Sequence, residues 1–181
     1  LGGDISDPFK IFDDVRDLYK KIIEDKRKRA QEWRKKKADW ASKNSELNKK
    51  LELFYSGNIP EIDFKTIQQK ENSATRAASA AVLSVLAKKV ENMIVASADL
   101  SNSDKTDGFL KNTKAFTRGD FSGAFLQAGV AELTMAAVMN GMALHGGVIP
   151  ACGTFFVFSD YMKPAVRLAC LMGLPVKYIW T

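Results

Sequence analysis

Cysteine and histidine are scarce in this 181-residue sequence, which holds two cysteines and one histidine. Cys152 and Cys170 form no Cys-x-x-Cys or Cys/His cluster, and this excludes a zinc ribbon and a disulfide-rich secreted scaffold. We expect both cysteines to be reduced core residues of a cytoplasmic protein. His145 lies beside two glycines at a predicted helix end, so we expect it to have a structural role.

Long hydrophobic runs are also absent. No apolar run approaches the roughly 20 residues that span a bilayer, and the first residues lack the basic-then-apolar pattern of a signal peptide. We therefore expect no membrane association. What the sequence does have is a hydrophobic content of 46%, which is enough to bury one sizeable core.

Positive charge is in excess, with 27 Lys and Arg against 21 Asp and Glu and a net charge of +6. The excess is concentrated in residues 26–29 and 34–37. A charge run on a predicted helix is usually a solvated face. A non-catalytic basic helical module that binds nucleic acid or an acidic partner is the alternative. We expect no nucleic-acid binding, because no element that reads bases accompanies the charge.

The first part of the chain predicts a long charged helical arm, or two helices with a break. Apolar residues recur there at nearly helical spacing, and the stripe that includes Trp33 and Trp40 is too small to form a core of its own. We expect that stripe to pack on another part of the protein or on a partner subunit. The composition changes sharply at Ser73, which predicts a helical arm and linker over 1–72 and a second domain over 73–181.

The second domain alternates between helical and strand patterns. Helices are predicted near 75–90, 131–144 and 160–172, and strands near 93–96, 125–128, 154–158 and 176–180. Apolar strands that alternate with helices are typical of an α/β fold with a parallel sheet covered by helices on both faces. Ligands of such sheets bind beyond the carboxyl ends of the strands.

Glu132 is the single carboxylate in the apolar run 129–147, and we expect it to be buried or nearly so. It has two interpretations: an acid that stabilises the start of a helix, or a carboxyl group that shares a proton with a bound heterocycle. Three aromatic residues near a predicted strand end also allow two interpretations, as core residues or as a slot for a flat ring. They are Phe155, Phe158 and Tyr161.

A series of short motifs resembles the transketolases. In chain order they are Thr75-Arg76, Ser97-Ala-Asp-Leu100, Phe116-Thr-Arg-Gly-Asp-Phe121, Gly129-Val-Ala-Glu132, Met139-Asn-Gly141, Gly153-Thr-Phe155, Phe158-Ser-Asp-Tyr161 and Val166-Arg-Leu168. The second domain resembles the first half of that family's pyrimidine-binding domain. The arm resembles the end of the preceding pyrophosphate-binding domain and its linker.

The resemblance implies a thiamine diphosphate enzyme of the pentose phosphate pathway that moves a two-carbon ketol unit between sugar phosphates. Glu132 matches the family's catalytic glutamate, which hydrogen-bonds the pyrimidine nitrogen of the cofactor. The other matched positions are Asp99 near the cofactor, Phe155, Phe158 and Tyr161 around the pyrimidine, and Arg76 and Ser103 at the substrate phosphate.

Some of the family's pattern is missing. Ala131 and Leu133 flank Glu132 where the family often has Arg and His, and no Gly-Asp-Gly…Asn segment is present to hold the diphosphate and its Mg²⁺ or Ca²⁺. The resemblance implies that the metal ligands lie outside this chain and that a homodimer completes the cofactor site. We thus expect a fragment that is inactive alone. Alternatives are a deoxyxylulose phosphate synthase-like enzyme, a split-subunit thiamine diphosphate enzyme and a regulatory pseudoenzyme.

Overall fold

The computed structural model describes Gly3 and residues 5–181, and it divides into two compact units. The first unit ends at Lys50 and the second runs from Leu51 to Thr181. Leu1, Gly2 and Asp4, which belong to the predicted arm, lie outside the described residues. None of the helices in the described part of the chain is long and apolar enough to cross a membrane. The predicted domain boundary near Ser73 stays a prediction.

The arm consists of two helices, α1 (Asp13–Lys43) and α2 (Ser45–Tyr55). Two aspartates in the first turn of α1 favour its start, because the helix dipole places partial positive charge there. The break lies at Asn44, whose side-chain amide donates to the Trp40 carbonyl at 2.9 Å. No residue of α1 is buried and Trp33 is 70% exposed, so the basic segments are solvated as predicted.

The second unit contains a sheet of four parallel strands in the order β2-β1-β3-β4. The strands are β1 (Met93–Ser97), β2 (Phe125–Gln127), β3 (Ile149–Thr154) and β4 (Lys177–Trp180). The helices are α3 (Thr75–Lys89), α4 (Asp107–Leu110), α5 (Glu132–His145) and α6 (Ser159–Leu171), and 3₁₀ turns occupy Phe64–Thr66 and Phe156–Phe158.

Helices cover both faces of this sheet. On one face, Leu83 of α3 and Phe109 of α4 belong to the same buried cluster as Val95 of β1. On the other face, residues of α5 and α6 cluster with Ala96 of β1 and Cys152 of β3. Successive residues of a strand point to opposite faces, so the four apolar residues 93–96 of β1 serve both cores. The predicted parallel α/β fold is confirmed.

The strand predicted over 154–158 is wrong. The third strand ends at Thr154, and the chain then turns, with the Phe158 N–H donating to the Phe155 carbonyl at 3.0 Å. The buried strand is the less obvious segment 149–154, whose small residues fit between two neighbouring strands and two helical layers. Pro150 and Gly153 make this strand hard to predict from the sequence, because both residue types are rare in strands.

Helix α5 is not buried on all sides in this chain, although its composition is apolar on nearly every face. One face is buried, and it holds Glu132, Met135, Ala136, Met139 and Asn140. The opposite face exposes Leu133, Val138 and Leu144 in this chain. Exposed apolar side chains on one helix face often mark an interface with another polypeptide.

The two cysteines differ in environment. Cys152 in β3 is fully buried, whereas Cys170 on α6 is exposed, so the expectation that both belong to the core is wrong for Cys170. Burial raises the pKa of the Cys152 thiol to about 12, because an apolar environment disfavours the thiolate.

We expect Cys152 to resist alkylation in the folded protein at pH 8. The thiolate is the reactive form, so iodoacetamide should label Cys152 at least about 100-fold more slowly in native than in unfolded protein. Peptide mass spectrometry over a time course measures both rates, and Cys170 serves as the exposed reference. Equal labelling rates of Cys152 in native and unfolded protein would contradict the burial of its thiol.

Candidate functional site

The predicted site residues lie in loops and first helical turns at the carboxyl edge of the sheet. A cleft of about 470 Å³ opens there. Its walls come from the loops after β1, β2 and β3, and its lining residues are Ala98, Asp99, Leu100, Val130, Glu132, Phe158 and Tyr161. Parallel strands bring their carboxyl ends to one edge, which is why residues distant in sequence meet at this cleft.

Glu132 is the first residue of α5 and is 8% exposed. The prediction that it is buried or nearly so is therefore confirmed. No hydrogen bond or ion pair joins its carboxyl group to any other residue that the structure describes. A buried carboxyl without a protein partner is costly. Since Glu132 also lines the cleft, its oxygen atoms are available to a polar group of a ligand.

Stacked aromatic rings form one side of the cleft. The ring centroids of Phe155 and Phe158 lie 6.1 Å apart with 27° between the planes. The rings of Phe158 and Tyr161 lie at the same distance with 26° between their planes. Phe158 and Tyr161 line the cleft, whereas Phe155 supports Phe158 from outside the lining. Two of the three predicted aromatic residues thus present surfaces to a ligand.

Asp99 lines the same cleft as Glu132 and has a left-handed backbone, with φ of 63°. Aspartate tolerates this conformation better than most residues that carry a side chain. A β-branched residue would be strained there, so the local backbone favours the residue type found at Asp99.

Arg76 and Ser103 are brought together, but neither lines the cleft. Arg76 lies in the first turn of α3, and its guanidinium Nη1 donates to the Ser103 carbonyl at 3.2 Å. The Ser103 N–H donates to the Leu100 carbonyl at 2.7 Å, and Leu100 does line the cleft. Ser103 therefore lies on a loop that lines the cleft, and Arg76 contacts that loop from α3.

Some cleft residues were missed from the sequence. Ala98, Leu100 and Val130 supply apolar walls. They follow strands and lie within two of the motifs given above, but the sequence assigned them no role at the site. The part of the chain that the structure describes contains no group of three or more His, Cys, Asp or Glu side chains that could hold a metal ion.

Comparison with known proteins gives consistent matches. Residues 71–181 match the family model described as the transketolase pyrimidine binding domain. The chain is 45% identical over 163 residues to transketolase from Bacillus subtilis, which covers 88% of this chain and 24% of that protein. It is 39% identical over 176 residues to transketolase from Halalkalibacterium halodurans, with 96% of this chain and 26% of that protein covered.

Solved structures also match. Transketolase from Leishmania mexicana superimposes with a TM-score of 0.82 at 29% identity, covering 96% of this chain and 26% of that chain. A Pichia stipitis transketolase in complex with sedoheptulose-7-phosphate gives a TM-score of 0.80 at 31% identity, covering 95% of this chain and 27% of that chain. The chain thus spans about a quarter of the length of these relatives. Because the family model matches more than half of the chain, the chain belongs to the transketolase family and contains a segment of its pyrimidine binding domain.

Proposed function

We propose that the full-length protein is a transketolase, which transfers a two-carbon ketol unit between sugar phosphates with thiamine diphosphate as cofactor. The observation that carries this proposal is the buried, unpartnered Glu132 in a cleft lined by stacked aromatic rings. The family membership of the chain supports it.

The cleft fits a flat heterocycle such as the pyrimidine of thiamine diphosphate. The rings of Phe158 and Tyr161 and the apolar wall residues suit the faces of such a ring, and the Glu132 carboxyl suits a ring nitrogen. Among the described residues no lysine or arginine lines the cleft, so these residues offer no cation to a diphosphate there. The diphosphate and its Mg²⁺ or Ca²⁺ would be held by residues outside this chain.

The residues of this chain would orient the cofactor ring, bind the substrate phosphate and transfer a proton. When bound, thiamine diphosphate supplies the carbon nucleophile that takes up the ketol unit. Glu132 would hold a proton at a carboxyl oxygen and share it with the ring nitrogen, Phe158 and Tyr161 would orient the ring, and Asp99 would accept hydrogen bonds at the cleft. Arg76 and Ser103 would bind the substrate phosphate, because a guanidinium group presents a fork of donors to phosphate oxygens.

We further propose a homodimer with the cofactor site at the subunit interface. The exposed apolar face of α5 supports it, since Leu133 and Val138 lie on the helix that Glu132 begins. A second copy on that face would place its residues close to the cleft. Two free cysteines support a cytoplasmic location, where thiols are kept reduced.

The test is an assay of the purified full-length protein with a ketose phosphate donor and an aldose phosphate acceptor. We expect a new ketose phosphate two carbons longer than the acceptor, formed only when thiamine diphosphate and Mg²⁺ are present. Absence of transfer by protein that binds thiamine diphosphate would contradict the proposal. A parallel assay replaces the ketose phosphate donor with pyruvate. Consumption of pyruvate with release of CO₂ in that assay would instead favour the deoxyxylulose phosphate synthase-like alternative.

A further inference from the structure

Asp104 is a buried carboxylate with no role in the chemistry above. It is 1% exposed and lies in the loop between β1 and α4. Its Oδ1 accepts from the Thr106 N–H and the Thr106 hydroxyl, both at 2.8 Å, and its Oδ2 accepts from the Ser97 hydroxyl at 2.8 Å. All three donors are neutral, and within the described residues no lysine or arginine pairs with Asp104.

These bonds tie the end of β1 to the start of α4. Ser97 is the last residue of β1, and its hydroxyl oxygen also accepts from the Leu100 N–H at 3.2 Å. The Leu100 carbonyl in turn accepts from the N–H groups of Ser103 and Asp104. The Asp104 carboxylate is therefore the central hydrogen-bond acceptor of this loop. Hydrogen bonds to an ionised acceptor are stronger than bonds between neutral groups.

The surroundings leave this cluster little freedom. A Cβ atom added to Gly153 of β3 would lie 2.4 Å from the Thr106 methyl carbon and 3.4 Å from Asp104 Oδ2. The loop is thus pressed against the sheet where only glycine fits. Asp104 and Thr106 therefore pack directly against β3, which restricts movement of the loop toward the sheet.

The same loop carries two predicted site residues. Asp99 lies at the cleft, and Ser103 holds the contact with Arg76. We infer that Asp104 is a positioning residue, which fixes the loop over 97–106 so that Asp99 lies at the cleft and Ser103 lies against Arg76. This inference rests on the proposed function, because it assigns Asp99 to the cofactor and Ser103 to the substrate phosphate.

The experiment compares Asp104→Ala and Asp104→Asn with wild type in the full-length protein. For Asp104→Ala we expect the KM for a phosphorylated acceptor to rise about tenfold, because a displaced Ser103 binds the substrate phosphate less well. We expect kcat to fall less than about threefold, because Glu132 lies on α5 and not on this loop. Asp104→Asn should give a smaller rise. Its Oδ1 can keep both bonds to Thr106, but its amide would turn Ser97 from donor into acceptor.

A merely structural defect would give a different pattern. It would lower the amount of active enzyme and so reduce kcat at unchanged KM. The matched control is Asp107→Asn in the same segment, where the carboxylate pairs with the exposed Lys111 at 2.6 Å. We expect that variant to keep the wild-type KM.

The outcomes separate the two proposals. An unchanged KM in folded Asp104→Ala would overturn the positioning role, and if Asp104→Ala does not fold, an unchanged KM in Asp104→Asn would do so. Absence of ketol transfer by the wild-type protein would overturn the proposed function instead.

Discussion

Replacement of Glu132 by glutamine in the full-length protein is expected to lower kcat for ketol transfer about 1,000-fold, within the range that general acid–base groups supply. Glutamine keeps the shape of the side chain but cannot hold or release the shared proton. Glu132 lies buried in the cleft, and the proton role is assigned to its carboxyl group alone. Steady-state rates, together with a binding titration of thiamine diphosphate, measure the effect.

The control for this variant is Glu46→Gln. Glu46 lies on α2, its side chain is 83% exposed, and it pairs with Lys49 at 2.8 Å. Surface ion pairs of this kind contribute little to stability, so we expect rates close to wild type. Near-normal ketol transfer by Glu132→Gln would show that the proton role assigned to Glu132 is wrong.

Replacement of Arg76 by alanine is expected to lower kcat/KM for a phosphorylated acceptor about 100-fold, because charge-assisted bonds to phosphate are among the stronger polar contacts. Lysine at this position should recover about tenfold of that loss, since it keeps the charge but lacks the rigid donor fork. Kinetics with a phosphorylated acceptor and a phosphate-free acceptor measure the effect.

The phosphate-free acceptor is the internal control. Arg76→Ala should change kcat/KM for that acceptor by less than about twofold, because no phosphate contact is lost. Arg34→Ala, on the exposed surface of α1, should leave both values unchanged. An equal loss with both acceptors would refute phosphate binding by Arg76 and indicate a general effect on the fold.

Much of the architecture follows from local patterns. The alternation of helical and strand segments after Ser73 predicts the parallel sheet, because hydrophobic periodicity reflects which face of an element is buried. The bounds predicted for the third strand are wrong, since the aromatic run that follows Thr154 is more apolar than the strand itself. Local composition cannot separate a buried strand from a loop whose aromatic residues line a cleft.

The buried carboxyl groups near the site also differ in how far the sequence predicts them. The burial of Glu132 follows from its place in an apolar run. Asp104 has no such signal, because it stands in a polar loop among Ser, Asn and Lys. Its burial results from the close approach of that loop to Gly153, which lies 49 residues later in the sequence (153 minus 104). Only the folded chain places these segments side by side.

The sequence by itself thus determined the fold class, the family resemblance and the residue types at the site, because these depend on periodicity and on short motifs. The tertiary structure decided which of those residues share a cleft. It placed Asp99, Glu132, Phe158 and Tyr161 in one cleft, Phe155 behind it and Arg76 beside Ser103. The physical reason is that three loops meet only when the parallel strands that precede them are paired in register.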